Sequence, residues 1–88
     1  MNLSKNKQNE AKRLGIKKEW LIAADLLTIG YTEDDAYEIS HSRISMTKSA
    51  IQNDNAKREM FDSPVFRQAL EARMEAHRAN AALAGEDA

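Results

Sequence analysis

Residues 17–40 read KKEWLIAADLLTIGYTEDDAYEIS, and this stretch decides the fold. In its first half Trp20, Leu21, Ala23, Ala24, Leu26 and Leu27 recur at spacings of three and four, the wide apolar face of an amphipathic helix. Gly30 stands where such a helix stops, because glycine adopts a left-handed C′ conformation without steric cost. Tyr31 follows, an aromatic placed to fold back on the preceding helix and close the corner. Thr32 is a natural N-cap for a second helix: its hydroxyl can accept from the Asp35 backbone N–H, and the Asp35 carboxylate can reach back in the capping-box manner. Glu33, Asp34 and Asp35 then fill the first turn, where acids complement the positive end of the helix dipole. This second helix is expected to continue through Ala36, Tyr37, Ile39 and Ser40 and to stop near Ser42 or Arg43.

Working outward, residues 44–61 are ambiguous. Ile44, Met46 and Ile51 are apolar, but QNDN at 52–55 is rich in residues that favour turns, so two outcomes are open. Either one helix runs to about Phe61, or two short helices break near Asn53 to Asn55. A sharper signal follows in DSPVFRQALEARMEAHRANAALAGEDA, residues 62–88, where Ser63 is an N-cap and Pro64 takes the first helical position. The long helix so begun carries an apolar line of Phe66, Leu70 and Met74 beside a small-residue face of Ala69, Ala72, Ala76, Ala79 and Leu83. The first line is the expected interface of a homo-oligomer. Residues 84–88 should fray. At the other end, residues 1–16 have few apolar anchors and are interrupted by Gly15, so they read as a flexible basic arm with the capacity to become partly helical on binding. The expected organisation is a basic arm over 1–16, a helical domain over 17–83 and a tail over 84–88.

Composition agrees with an all-α fold, since the 88 residues include one proline, three glycines and no alternating apolar segment. A chain of this length holds one small domain. The formal net charge of −1 conceals an uneven distribution. Lys5, Lys7, Lys12, Arg13, Lys17 and Lys18 face a single acid, Glu10, in the first eighteen residues, whereas acids dominate residues 19–62. A basic N-terminal region is an electrostatic footprint for nucleic acid or another anionic partner, and equally a property of solvated tails. Without cysteine there are no disulfides or thiolate metal sites, which fits a reducing compartment. The polar N-terminus lacks the apolar core of a signal peptide or membrane span, so a cytoplasmic, non-membrane protein is expected.

Catalysis requires groups with matched roles, and the sequence assembles none with specificity. His41 and His77 are far apart, and consecutive acids on a helix point in different directions, so neither set makes a convincing metal site. The expectation is a protein that is not an enzyme and carries no cofactor.

Helix, Gly-Tyr corner and capped helix is the layout of a helix-turn-helix. GYTEDDAYEISHSRI at 30–44, followed by DSPVFRQALEARMEAH at 62–77, resembles the N-terminal DNA-binding region of phage terminase small subunits. The likeness covers roughly Lys17 to Arg78. It implies recognition of viral double-stranded DNA at the start of packaging, assembly into a homo-oligomer, delivery to the terminase large subunit, and location in the host cytoplasm. On this resemblance Gly30 and Tyr31 form the corner, Thr32 the cap, and Ala36 the buried position at which the two helices approach. Tyr37, His41 and Arg43 fall on or beside the DNA-facing side.

The acids qualify that picture, because Glu33, Asp34, Asp35 and Glu38 would repel phosphates. DNA contact is therefore expected at the later half of the second helix and on basic residues: Lys12, Arg13, Lys17, Lys18, Arg43 and Lys48, with Tyr37 and His41 approaching bases or sugars. A different class remains open. LLTIGYTEDDAYEIS also resembles the first two helices of a ubiquitin-associated domain, which implies a helical protein-interaction adaptor, although that family's third-helix pattern is absent after Ser42.

Overall fold

The computed structural model describes the backbone of residues 3–86 and the side chains of residues 8–81. The chain is all-α over this range. Its helices are α1 (Leu3–Leu14), α2 (Lys18–Thr28), α3 (Glu33–Ser40), α4 (Ser42–Ser45), α5 (Ala50–Asp62) and the long α6 (Pro64–Glu86). None of the described helices is long and apolar enough to cross a membrane.

α2 is the hub, packing against α1, α3 and α6. Its apolar face explains this: Leu21, Ala23 and Ala24 are fully buried, and Trp20, Leu26 and Leu27 pack around them. Ala36 of α3 is also fully buried, and small side chains at a crossing let helix axes approach closely. From the opposite side come Met60 of α5 and Phe66 of α6, both without solvent exposure. Phe66 meets Trp20 edge to face at 6.2 Å and Phe61 edge to face at 5.5 Å, the geometry that aromatic quadrupoles favour.

Phe66 corrects the expected oligomer interface. It is the largest fully buried side chain and belongs to this domain's interior, where α6 closes over α2 and α5. Leu70 packs partly buried against the same core, and Met74 is half-buried. The i, i+4, i+8 line that resembled a seam between copies is thus used chiefly inside the chain. The described side chains beyond it, residues 75–81, are all exposed.

A single residue separates α5 from α6. Ser63 accepts from the Phe66 N–H at 3.5 Å, its carbonyl accepts from the Arg67 N–H, and Arg67 Nε donates to the Phe61 carbonyl at 2.9 Å. Pro64 at the first helical position needs no intrahelical donor there.

Over residues 44–61 the chain forms neither one helix nor a break near Asn53 to Asn55: the short α4 ends at Ser45, residues 46–49 form the break, and α5 runs unbroken through Asn53 and Asn55. Gln52, Asn53 and Asp54 are accommodated by specific partners, Asp54 through an ion pair with Arg58. Ser49 accepts from the Gln52 N–H at 3.2 Å while Gln52 Oε1 accepts from the Ser49 N–H at 2.9 Å, a complete capping box. Asn53 Nδ2 donates to the carbonyls of Ser45 and Lys48, and Asn53 Oδ1 accepts from the Tyr37 hydroxyl. Groups that would compete with the helix backbone in isolation are engaged elsewhere.

The N-terminal arm is the second correction. Residues Leu3–Leu14 form α1, and the folded unit begins before Lys17. Gly15 has φ +69°, Ile16 N–H donates to the Ala11 carbonyl at 3.0 Å, and Gly15 N–H to the Lys12 carbonyl at 3.3 Å. These are the paired bonds of a Schellman motif, and Ala11 and Ile16, its flanking apolar residues, are both buried. Arg73 adds a tie across three helices. Its Nη2 donates to Glu10 Oε1 of α1 at 2.8 Å, and its Nε to Asp25 Oδ1 of α2 at 2.6 Å. At the C-terminus α6 includes residues 84–86 of the expected frayed tail, while residues 87–88 lie outside the described range.

Candidate nucleic-acid interface

The corner at residues 29–32 is built by local rules. Gly30, at φ +111°, follows α2; its N–H donates to the Leu27 carbonyl at 3.2 Å and the Tyr31 N–H to the Leu26 carbonyl at 3.0 Å. Thr32 Oγ1 then accepts from the Asp35 N–H at 3.2 Å. The reciprocal bond expected from the Asp35 carboxylate does not form. Aspartate is one methylene shorter than the Glu or Gln of a capping box, and the complete box occurs instead at Ser49 and Gln52.

α3 places its acids at the start and the expected contact residues at the end. Glu33, Asp34, Asp35 and Glu38 are exposed, and Asp34 pairs with Lys57 of α5. The hydrogen bond to Asp34 raises the Lys57 pKa. Tyr37 and His41 point inward, with 4% and 7% of their surface exposed. This corrects their assignment as DNA contacts. Both lie on the side of α3 that turns toward the domain, and helical spacing alone does not say which flank is covered by α5.

The two rings stack at 4.3 Å with 15° between their planes. Ser40 Oγ donates to the Tyr37 carbonyl and lies 2.8 Å from His41 Nδ1. With the single hydroxyl proton committed to the carbonyl, the imidazole hydrogen is assigned to Nδ1, which donates to Ser40 Oγ. Burial lowers the His41 pKa, and Lys48 and Lys17 act in the same direction against a hydrogen bond with the Tyr37 backbone and the charge of Glu19. Burial likewise raises the Tyr37 pKa.

The basic residues, by contrast, converge. Lys12, Lys17 and Lys18 line one groove with Gly15 and Ile16. Lys17 and Lys48 flank a second, small cleft with His41, Trp20 and Ile44. Lys18 and Arg43 flank a third with Ser40 and Ser42. Shared residues join the three into a band around the N-terminal end of α2 and the C-terminal end of α3. The Lys17 ammonium also sits 5.4 Å from the centre of the Trp20 ring, a cation–π contact that orients it. Arg13 is exposed in the last turn of α1, rotated by roughly 100° from Lys12.

Sequence reasoning missed three participants. Glu19 lines two of these clefts and Glu59 one, placing negative charge inside the basic band. Asn53 holds the Tyr37 hydroxyl at 3.2 Å and thereby joins α5 to α3. No local pattern marks any of them, because their partners come from other helices. Among the described residues, no group of three or more His, Asp or Glu side chains is placed to hold a metal ion. No family model, curated protein or solved structure matches this chain.

Proposed function

We propose that the chain is a double-stranded-DNA-binding module of the terminase small-subunit type, in which α2, the Gly30 corner and α3 serve as a helix-turn-helix. It meets the duplex through phosphate contacts from Lys12, Lys17, Lys18, Arg43 and Lys48 rather than by inserting the start of α3. The carrying observation is the convergence of these five side chains from α1, the α1–α2 connection, α2, α4 and the α4–α5 connection into one band. Cations brought together from separate segments repel one another, so the arrangement is best explained by an anionic partner. The N-terminal amides of α2 add to the positive potential.

The first acids of α3 lie away from the point of contact, whereas Glu38, within one turn of His41, and Glu19, inside the band, lower the potential there. At 1.5 Å per residue, Glu33 and Asp34 lie roughly 10 Å along the helix axis from His41, comparable to the screening length at physiological salt. Their separation makes the interface directional.

Fluorescence anisotropy of a labelled duplex across a salt series tests the proposal. Five phosphate contacts imply a slope of log K against log salt of about −4.5, hence roughly 500-fold weaker binding at 200 mM than at 50 mM salt. Changing Lys17, Lys18, Arg43 or Lys48 to Ala should reduce the slope by about 0.9 each. Absence of binding at low salt overturns the proposal. A protein-binding adaptor is the second reading, favoured by the exposure of Ile29 and Tyr31 at the corner.

A further inference from the structure

A further groove lies between α3 and α5. Its floor is closed by the hydrogen bond from Tyr37 to Asn53. Asp34 and Glu38 of α3 form one wall and Ala50, Asp54 and Lys57 of α5 the other, with Ser45 and Met46 at one end. Two features of this groove have no explanation in the stability of the domain. Met46 is 86% exposed, so it contributes little to the core. Glu38 stands in the last turn of α3, where the helix dipole disfavours an acid.

We propose that this groove docks a basic amphipathic segment of a partner protein. Charge complementarity identifies the occupant. Asp34, Glu38 and Asp54 line the groove with one cation, Lys57, which pairs with Asp34; Arg58 pairs with Asp54, so the acidic excess comes from Glu38 and from Glu33 near Lys57. A nucleic acid or an anionic membrane is repelled by this excess, whereas Lys or Arg side chains are attracted. Met46 and Ala50 supply an apolar surface for an aliphatic anchor, and methionine adapts well to varied partners. Lys57 spans the groove to Asp34 and occupies the position that a partner's cation would take. It is an internal competitor, and its removal has an opposite effect to removal of the acids.

The probe is a fluorescein-labelled synthetic peptide with Leu at i, i+3, i+4 and i+7 and Arg elsewhere, compared with the same peptide carrying Glu for Arg. The full chain should bind the Arg peptide and not the Glu peptide. Glu38→Gln, Asp54→Asn and Met46→Ala should each weaken binding by about threefold to fivefold, as expected for peripheral contacts. Lys57→Ala should tighten it. Glu71→Gln and Glu75→Gln, on α6, should leave it within about twofold, as should Lys17→Ala and Arg43→Ala, which separates this site from the basic band. Equal binding of the two peptides, equal losses from the α6 controls, or weaker binding by Lys57→Ala overturns the proposal.

Discussion

The two glycine corners on either side of α2 use the same hydrogen bonds and differ in how their partners are held. At Gly30 the chain passes from α2 into a helix that begins three residues later, and Leu26, Ala36 and the Thr32 cap all lie within ten residues of the glycine. At Gly15 the preceding helix has only Ala11 as a buried anchor among its described side chains, and it is held to the domain by Ile16 and by Arg73 from far along the chain. One corner is made by its neighbours in sequence and the other by its neighbours in space. The contrast shows that a helix with little apolar periodicity can dock when a distant ion pair and one capping residue supply the attachment.

Removing the Arg73 tie should break the symmetry most. Arg73→Met leaves Glu10 and Asp25 without their guanidinium and should cost about 2 kcal/mol, less than a fully buried pair because both acids remain partly hydrated. Hydrogen exchange should quicken across residues 8–14 while residues 33–40 keep their protection. Uniform loss of protection would show that the two corners unfold as one unit.

The glycines themselves provide the next comparison. A Cβ at either position meets nothing within 4 Å, so the cost of alanine is conformational rather than steric. Gly15→Ala should destabilise by about 1 kcal/mol, the usual cost of a left-handed alanine. Gly30→Ala should cost more, since φ +111° lies beyond the left-handed basin open to alanine whereas +69° lies at its edge. Urea midpoints of the two variants check the order.

The smallest effect concerns His41, at the end of the helix that the Gly30 corner launches. Its folded pKa is depressed by burial, so in acid the unfolded chain binds the proton more readily than the folded one. The contribution is present above the ordinary histidine value of about 6.5 and is lost as pH falls through the folded pKa. Stability should therefore decline as pH falls below about 6.5, and His41→Gln should flatten that decline. An unchanged pH profile in His41→Gln would remove the imidazole from the account.

Legibility in the sequence followed the range of the interactions. The apolar spacing of Trp20 to Leu27, the Thr32 cap and the Ser63-Pro64 start are local, and α2, α3 and α6 stand where these signals place them. QNDN was ambiguous because a local reading weighs Asn53 as a turn former. Its amide instead serves the carbonyls of Ser45 and Lys48 and the hydroxyl of Tyr37. At the candidate interface, the residue types were legible but their grouping was not. Lys12 and Lys48 gain a shared surface only when Lys17 links their grooves.

By itself, the sequence determined an all-α chain, the end of α2, the starts of α3 and α6 and the acidic opening of α3, because caps, glycines and apolar periodicity act over a few residues. Only the tertiary structure decided that Tyr37 and His41 are interior, that Phe66 serves this chain's own core, that α1 is docked, and that the scattered lysines form a band. Each of these depends on which helix covers which face, and that is settled by packing and charge pairing between residues distant in sequence, such as Arg73 with Glu10 and Tyr37 with Asn53.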